Sequence, residues 1–355
     1  MTKPSKSNES CPDCDSDFAE LNRRRFLRTA GAAAVAMTAS TVWPNWAVAS
    51  DKPAEKGPAE TLVKKLYDSF SEKQRKDVAF DWDFVHPQMG LLRTRVSNNW
   101  HITTPQIVGD YYTKDQQEII RTIFENSFTE EWVKKLDKQL TDDAGGYGKD
   151  QNVAIFGKPG EGKFEFVMTG RHLTMRVDGH SNEHAAFGGP IFHGHAASGF
   201  NEKPDHPNNV FWPQALAANK IFEMLDGKQR KVALVPRTPA ESSVGFRGDK
   251  GGFPGIPVTE LSGDQKEQLQ KTLQLMLEPY RTVGREDVTT ALKAQGGIDK
   301  CALAFYAQGD LGDDGVWDNW RLEGPSFVWY FRGAPHVHLW INIADDPSLE
   351  TNAVG

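Results

Sequence analysis

Residues 152–177 read NVAIFGKPGEGKFEFVMTGRHLTMRV. The stretch holds three short runs rich in Val, Ile, Phe and Met: Val153–Phe156, Lys163–Met168 and His172–Val177. They are separated by Lys158-Pro-Gly-Glu-Gly162 and by Thr169-Gly170. Runs of this length between Gly- and Pro-rich breaks predict strands. Breaks too short for a crossover predict an antiparallel meander. The C-terminal region repeats the signature. Leu303–Gln308, Trp317–Glu323, Phe327–Phe331 and His336–Ile343 read as strands, with Asp310–Gly315 as a turn.

Outside these runs the period is helical. In Ala59–Phe70 the apolar Leu62, Val63, Leu66, Tyr67 and Phe70 share one face. Ser71/Gln74, Thr113/Gln116 and Ser262/Gln265 have capping-box spacing, in which a hydroxyl and an amide satisfy orphan helix N–H groups. Thr129 stands where it can cap a helix to about Leu140, and Glu286–Ala294 reads as another helix. Phe211, Ala215, Ala218, Phe222 and Leu225 line one face of a helix stopped by Gly227. Residues 178–209 and Arg237–Pro257 read as long loops. The expected fold is α+β: an antiparallel sheet of middle and C-terminal strands with amphipathic helices packed on one side. There is one internal echo, Phe70-Ser-Glu-Lys-Gln-Arg-Lys76 against Leu225-Asp-Gly-Lys-Gln-Arg-Lys231. It reads first as a recurring way to end one helix and cap the next, and otherwise as a relic of duplication.

The chain has 355 residues, 38% of them hydrophobic, enough for a substantial core. Its formal net charge of -7 argues against nucleic acid or an anionic membrane surface as the main partner, since both reward clustered Lys and Arg. Near the N-terminus, Asn22-Arg-Arg-Arg-Phe-Leu-Arg28 carries a twin-arginine pattern. A mildly apolar run, Ala30–Val42, follows, and then the small-x-small site Ala47-Val48-Ala49. The expected organisation is a twin-arginine signal peptide over 1–49, a linker over 50–58 and a single α+β domain over 59–355. The partner implied is the twin-arginine export machinery. The product would be periplasmic or secreted, exported folded, and without a stable membrane anchor after cleavage. Cys11 and Cys14 would leave with the signal. Cys301 opens the apolar run Cys301–Tyr306 and reads as a buried strand residue.

Six of the ten histidines fall between Gly170 and His206. His193-Gly-His195 and His336-Val-His338 are both His-x-His pairs, and in an extended chain residues i and i+2 point to one face. On neighbouring strands, two such pairs would converge. The expectation is that His193, His195, His336 and His338 approach one another with His172 nearby. His180 and His184 would share a face on a helical turn. The candidate metal ligands are therefore His172, His180, His184, His193, His195, His336 and His338. Glu202 and Asp205 are the candidate catalytic acids. An imidazole-rich site suits a divalent transition metal, Zn, Cu, Fe or Mn. It would serve hydrolytic or oxidative chemistry on a small-molecule or carbohydrate substrate. The competing reading is a non-catalytic periplasmic binding protein for a small or carbohydrate ligand. Its histidines would be structural, and Trp317, Trp320, Trp329, Tyr330, Phe331 and Trp340 would line the cleft. Arg247, Arg321 and Arg332 are candidate anion anchors, with ion pairing the simpler role. Residues 50–355 contain no P-loop, HExxH or GxSxG pattern.

The segments Gly170-Arg-His-Leu, Asn219–Arg230, Glu323-Gly-Pro-Ser-Phe327 and His336-Val-His-Leu-Trp340 resemble a secreted bacterial family, the domain of unknown function numbered thirty-five hundred. The resemblance covers roughly Ala59 to Asp346. It implies one architecture for that span. It also implies a recurring Gly-x-His-Leu strand and a C-terminal His-x-His strand, matched here by His172 and by His336 with His338. It implies no activity.

Overall fold

Four of the eight α-helices among the described residues open with a complete capping box. The structure, a computed structural model, describes residues 59–196, 209–312 and 314–355. The predicted signal, linker and cleavage site, together with Glu202, Asp205 and His206, lie outside them. The helices are α1 (Ala59–Ser69), α2 (Glu72–Val78), α3 (Lys114–Ser127), α4 (Glu130–Ala144), α5 (Trp212–Met224), α6 (Gly227–Ala233), α7 (Gly263–Leu277) and α8 (Thr282–Ala294). Ser71, Thr113, Asp226 and Ser262 cap α2, α3, α6 and α7, each with Gln at the third helical position reaching back. Thr129 precedes α4 but does not cap it; its hydroxyl donates to the Glu278 carbonyl at 3.3 Å. Helix α8 begins at Thr282, a turn before the predicted Glu286.

One sheet of eleven strands spans the fold. Its strands are β1 (Ala79–Phe80), β2 (Gln151–Gly157), β3 (Phe164–Gly170), β4 (Leu173–Val177), β5 (Ile191–His195), β6 (Leu234–Val235), β7 (Ile256–Pro257), β8 (Ala302–Tyr306), β9 (Asn319–Gly324), β10 (Phe327–Arg332) and β11 (Val337–Ile343). The spatial order is β1-β2-β3-β4-β5-β11-β10-β9-β8-β7, with β6 also on β8. The predicted meanders are antiparallel, but the sheet as a whole is mixed, because the two-residue strands β1 and β6 join it in parallel. Strand β5 corrects the sequence reading, which left residues 178–209 as loop. Its HGH segment breaks the apolar pattern, yet it pairs with β4 on one side and β11 on the other.

The register divides the sheet's side chains into two faces. Met175, Ile191, His193, Leu339, Phe331 and Phe305 belong to the face on which the helices pack. Phe222 of α5 meets Phe305 there at 5.0 Å between ring centroids. The other face is more polar. It carries Glu165, Arg176, Arg321, Glu323, Arg332 and His338, besides an apolar cluster around Phe192, Tyr330 and Trp340. Val96, from a short strand outside this sheet, and Val244, from a loop, cover it.

The two halves repeat one element order. The first runs α1-α2-β1-α3-α4-β2-β3-β4-β5, with three short strands at 85–86, 90–91 and 95–97 added after β1, and the second α5-α6-β6-α7-α8-β8-β9-β10-β11, with β7 added. Both short strands, β1 and β6, lie parallel to the first long strand of their half. The halves meet at β5 and β11, where Ile191 faces Ile341. The echoed segments hold equivalent places. Gln74 exchanges amide hydrogen bonds with Gln116 of α3, and Gln229 does so with Gln265 of α7. The echo is therefore part of a repeated architecture and not only a shared way of ending helices.

Candidate metal centre

The two His-x-His pairs lie on adjacent strands, as the spacing suggested, but they face opposite ways. Gly194, not a histidine, stands opposite His338, while His193 pairs with Leu339 and His195 with Val337. Because side chains alternate along a strand, this register sends His193 and His195 to the helix face and His336 and His338 to the loop-covered face.

The third member of the group at His336 and His338 is His172. It occupies the two-residue turn between β3 and β4 with a φ of 53°, and its carbonyl accepts from the Gly194 amide at 3.0 Å. The His172 ring lies directly over Gly194: a Cβ there would come within 2.7 Å of His172 Cδ2. The glycine of the HGH motif thus makes the room in which the site is built. His338 Nε2 is 2.9 Å from His336 Nε2 and 3.3 Å from His172 Nε2. Nitrogens about 2.0–2.1 Å from one shared ion, at roughly tetrahedral to right angles, are about 2.9–3.4 Å apart. The three residues are buried and form a group that could hold one metal ion.

Two carboxylates hold the imidazoles from behind. Asp143, at the end of α4, bonds His172 Nδ1 and also accepts from Arg171 Nε at 2.9 Å. Burial pushes the Asp143 carboxyl up, but the bond from His172 and the charge of Arg171 outweigh it and hold the group below the usual carboxylate range. Glu241, from the loop before β7, takes His338 Nδ1 at 2.7 Å and pairs with Arg332. Where Nδ1 carries the proton for its carboxylate, the Nε2 lone pairs are left directed at one another, the arrangement that carboxylates impose on metal-bound histidines; Arg332 Nη1 also stands 3.0 Å from His338 Nδ1. His338 is held well below the ordinary histidine range, first by burial and then by His172, His336 and Arg332. It is therefore neutral at physiological pH, the form in which imidazole ligates.

The remaining predicted residues lie elsewhere. His193 Nε2 bonds Tyr280 Oη at 3.1 Å among Phe128 and Phe211. His195 is buried on the same helix-side face. His180 and His184 line a pocket of about 220 Å3 with Asp178, Glu183, Asp287 and Asp345, and His184 Nδ1 lies 2.8 Å from Asp345. Of the six aromatics proposed to line a cleft, Trp320, Trp329, Tyr330, Phe331 and Trp340 are fully buried, and Trp317 is half-buried against Phe222. Among the candidate anion anchors, Arg321 and Arg247 both pair with Glu323 at 2.9 Å, and Arg332 pairs with Glu241. Cys301 is buried in contact with Gln295. Sequence reasoning missed Asp143, Glu241 and Gly194. Glu241 had one faint signal, being the sole acid between Asp226 and Asp249 in a long loop.

A family model described as Protein of unknown function (DUF3500) matches residues 54–340. The chain belongs to the DUF3500 family. The match takes in the His172, His336 and His338 group and both carboxylates behind it. No curated protein and no solved structure matches this DUF3500 chain. Among its described residues no helix is long and apolar enough to cross a membrane.

Proposed function

We propose that this DUF3500 protein is an exported metalloenzyme that binds one divalent transition metal, Zn, Cu, Fe or Mn, through His172, His336 and His338. The observation that carries the reading is the convergence of three buried Nε2 atoms, two of them oriented by carboxylates on the far ring nitrogen. Such lone pairs repel unless a cation or protons lie between them. Three protein ligands, rather than four, match catalytic sites, which keep a position open. A metal bound there supplies Lewis acidity or redox chemistry, for a hydrolytic or an oxidative reaction. The protein's own part is to aim the imidazoles: Asp143 holds His172 and Glu241 holds His338 by the far ring nitrogen.

Export rests on the Arg23-Arg24-x-Phe26-Leu27 pattern and the Ala47-Val-Ala49 site. The twin-arginine route carries folded proteins, so a metal site assembled in the cytoplasm would arrive intact in the periplasm or medium. Arg23→Lys with Arg24→Lys should trap the chain inside the cell; export of the pair variant at the normal level refutes this assignment.

Elemental analysis tests the metal. Protein beginning at Ser50 should carry close to one equivalent. His193→Ala with His195→Ala should leave that content unchanged, and His336→Ala with His338→Ala should abolish it. Sub-stoichiometric metal after supplementation with each of the four ions refutes the proposal.

A further inference from the structure

The helix face of the sheet carries a second site, unrelated in residues to the metal centre. A pocket of about 430 Å3 opens between β4, β5 and the start of α8. Its walls are apolar, formed by Met175, Val177 and Ile191 of the sheet with Phe128, Phe187 and Val283. Ligand pockets of soluble proteins fall in this size range and combine apolar walls with a few placed polar groups.

Those polar groups are present. His193 and Tyr280 both line the pocket and bond to each other. His193 Nδ1 is buried and has no hydrogen-bond partner among the described residues. A neutral imidazole always has one donor and one acceptor to satisfy, and leaving one buried and unmet costs about 1–3 kcal/mol. Burial lowers the His193 pKa to about 3, so protonation does not relieve this orphan near neutral pH.

Two further local costs converge on the same wall. Phe187 has φ 60° and ψ 12°, a left-handed conformation that a bulky side chain rarely adopts. Gly284 lies in the first turn of α8, where alanine would favour the helix more than glycine does. The two fit together: a Cβ at Gly284 would lie 2.8 Å from Phe187 Cε1, and the Phe187 ring packs on Tyr280 at 4.5 Å. The strained residue and the helical glycine together hold an aromatic wall in place. Val283, in that wall, is 52% exposed and marks the mouth.

Three acids, Glu60, Asp178 and Asp287, also line the pocket. Burial pushes Asp287 up to about 6 and raises Asp178, so both would gain from an incoming cation. Against them stand Arg176, which is paired with Glu165, Arg281, which donates to the Glu125 carbonyl, and His180, close enough to lower both acids.

We propose that this pocket binds a small amphipathic amine, its apolar or aromatic body against Phe128, Phe187 and Ile191, and its ammonium group at Asp178 and Asp287. The site is distinct from the metal centre, since none of its lining residues belongs to that group.

Calorimetric titration of the purified protein with phenethylamine, phenethyl alcohol and phenylacetate tests it. The amine should bind at least tenfold more tightly than the alcohol, and the carboxylate more weakly than either. Asp287→Asn should reduce the amine-to-alcohol preference to under threefold. Val283→Trp, a change at an exposed position, and Gly284→Leu should each abolish binding without changing metal content. Failure of all three compounds to bind at millimolar concentration overturns the proposal. So does binding of the carboxylate as tight as that of the amine, or amine binding that survives both blocking variants.

Discussion

Gly194→Ala is the sharpest perturbation of the candidate metal centre, because it adds one methyl group and no charge. Gly194 lies within β5 and its φ is outside the left-handed region, so alanine is conformationally acceptable there. The obstacle is steric. The added Cβ would sit 2.7 Å from His172 Cδ2, 2.9 Å from its Cγ and 2.8 Å from the Val337 carbonyl oxygen. Carbon–carbon contacts settle near ~3.5 Å, so the imidazole must retreat by about 0.8 Å. The Val337 carbonyl belongs to the β5–β11 ladder, and Asp143 fixes the far side of the ring, so the displacement passes to Nε2. Metal–ligand distances tolerate only about 0.2 Å. Metal affinity should fall by about 10–100-fold, the range seen when ligand orientation is lost. Overpacking should cost about 1–3 kcal/mol of stability. Competitive metal titration measures the first effect and urea unfolding in chelator the second. Gly162→Ala is the matched control, since its Cβ would meet no atom within 4 Å. A folded Gly194→Ala protein with metal affinity within twofold of the parent refutes the site geometry.

Asp143→Asn and Glu241→Gln should each weaken metal binding by about 10–100-fold while the circular dichroism spectrum stays unchanged; wild-type affinity in both would show that the carboxylates do not orient the ligands. His193 should make the fold acid-sensitive. Its folded pKa of about 3 lies below the unfolded value of 6.5, so the unfolded chain takes up a proton that the folded chain excludes. Stability is then full above pH 6.5 and falls as pH drops toward 3, by about 2 kcal/mol between pH 7 and pH 5. Urea unfolding of His193→Gln should show that much less pH dependence over the interval, and an unchanged slope would refute the assignment. Cys301, buried and with its thiol pushed up to about 12, should resist a thiol reagent until the protein is denatured.

The strands of residues 152–177 and of the C-terminal region were legible because their apolar runs are dense and their breaks short. Strand β5 was not, since Gly188-Gly-Pro190 and the HGH segment mimic a loop, and only its two neighbours reveal it. That each His-x-His pair shares a face was also legible. Which face was not, because a shift of one residue in the β5–β11 register exchanges His193 for Gly194 opposite His338. The resemblance, by contrast, singled out the three converging residues, His172, His336 and His338. Asp143 and Glu241 stayed hidden for a different reason. They reach their histidines from 29 and 97 residues away in the chain, beyond any local pattern.

The repeated element order has a consequence for how such a centre arises. Gly170 and Leu173 close the turn that carries His172; Gly324 and Phe327 close its counterpart in the second half, where Ser326 takes the histidine's place. The first half thus contributes one ligand and the second half two, across the junction of β5 and β11. Neither half holds the set alone. The two turns sit on one repeated frame, yet only the first supplies a ligand: broken symmetry on a frame that still keeps it.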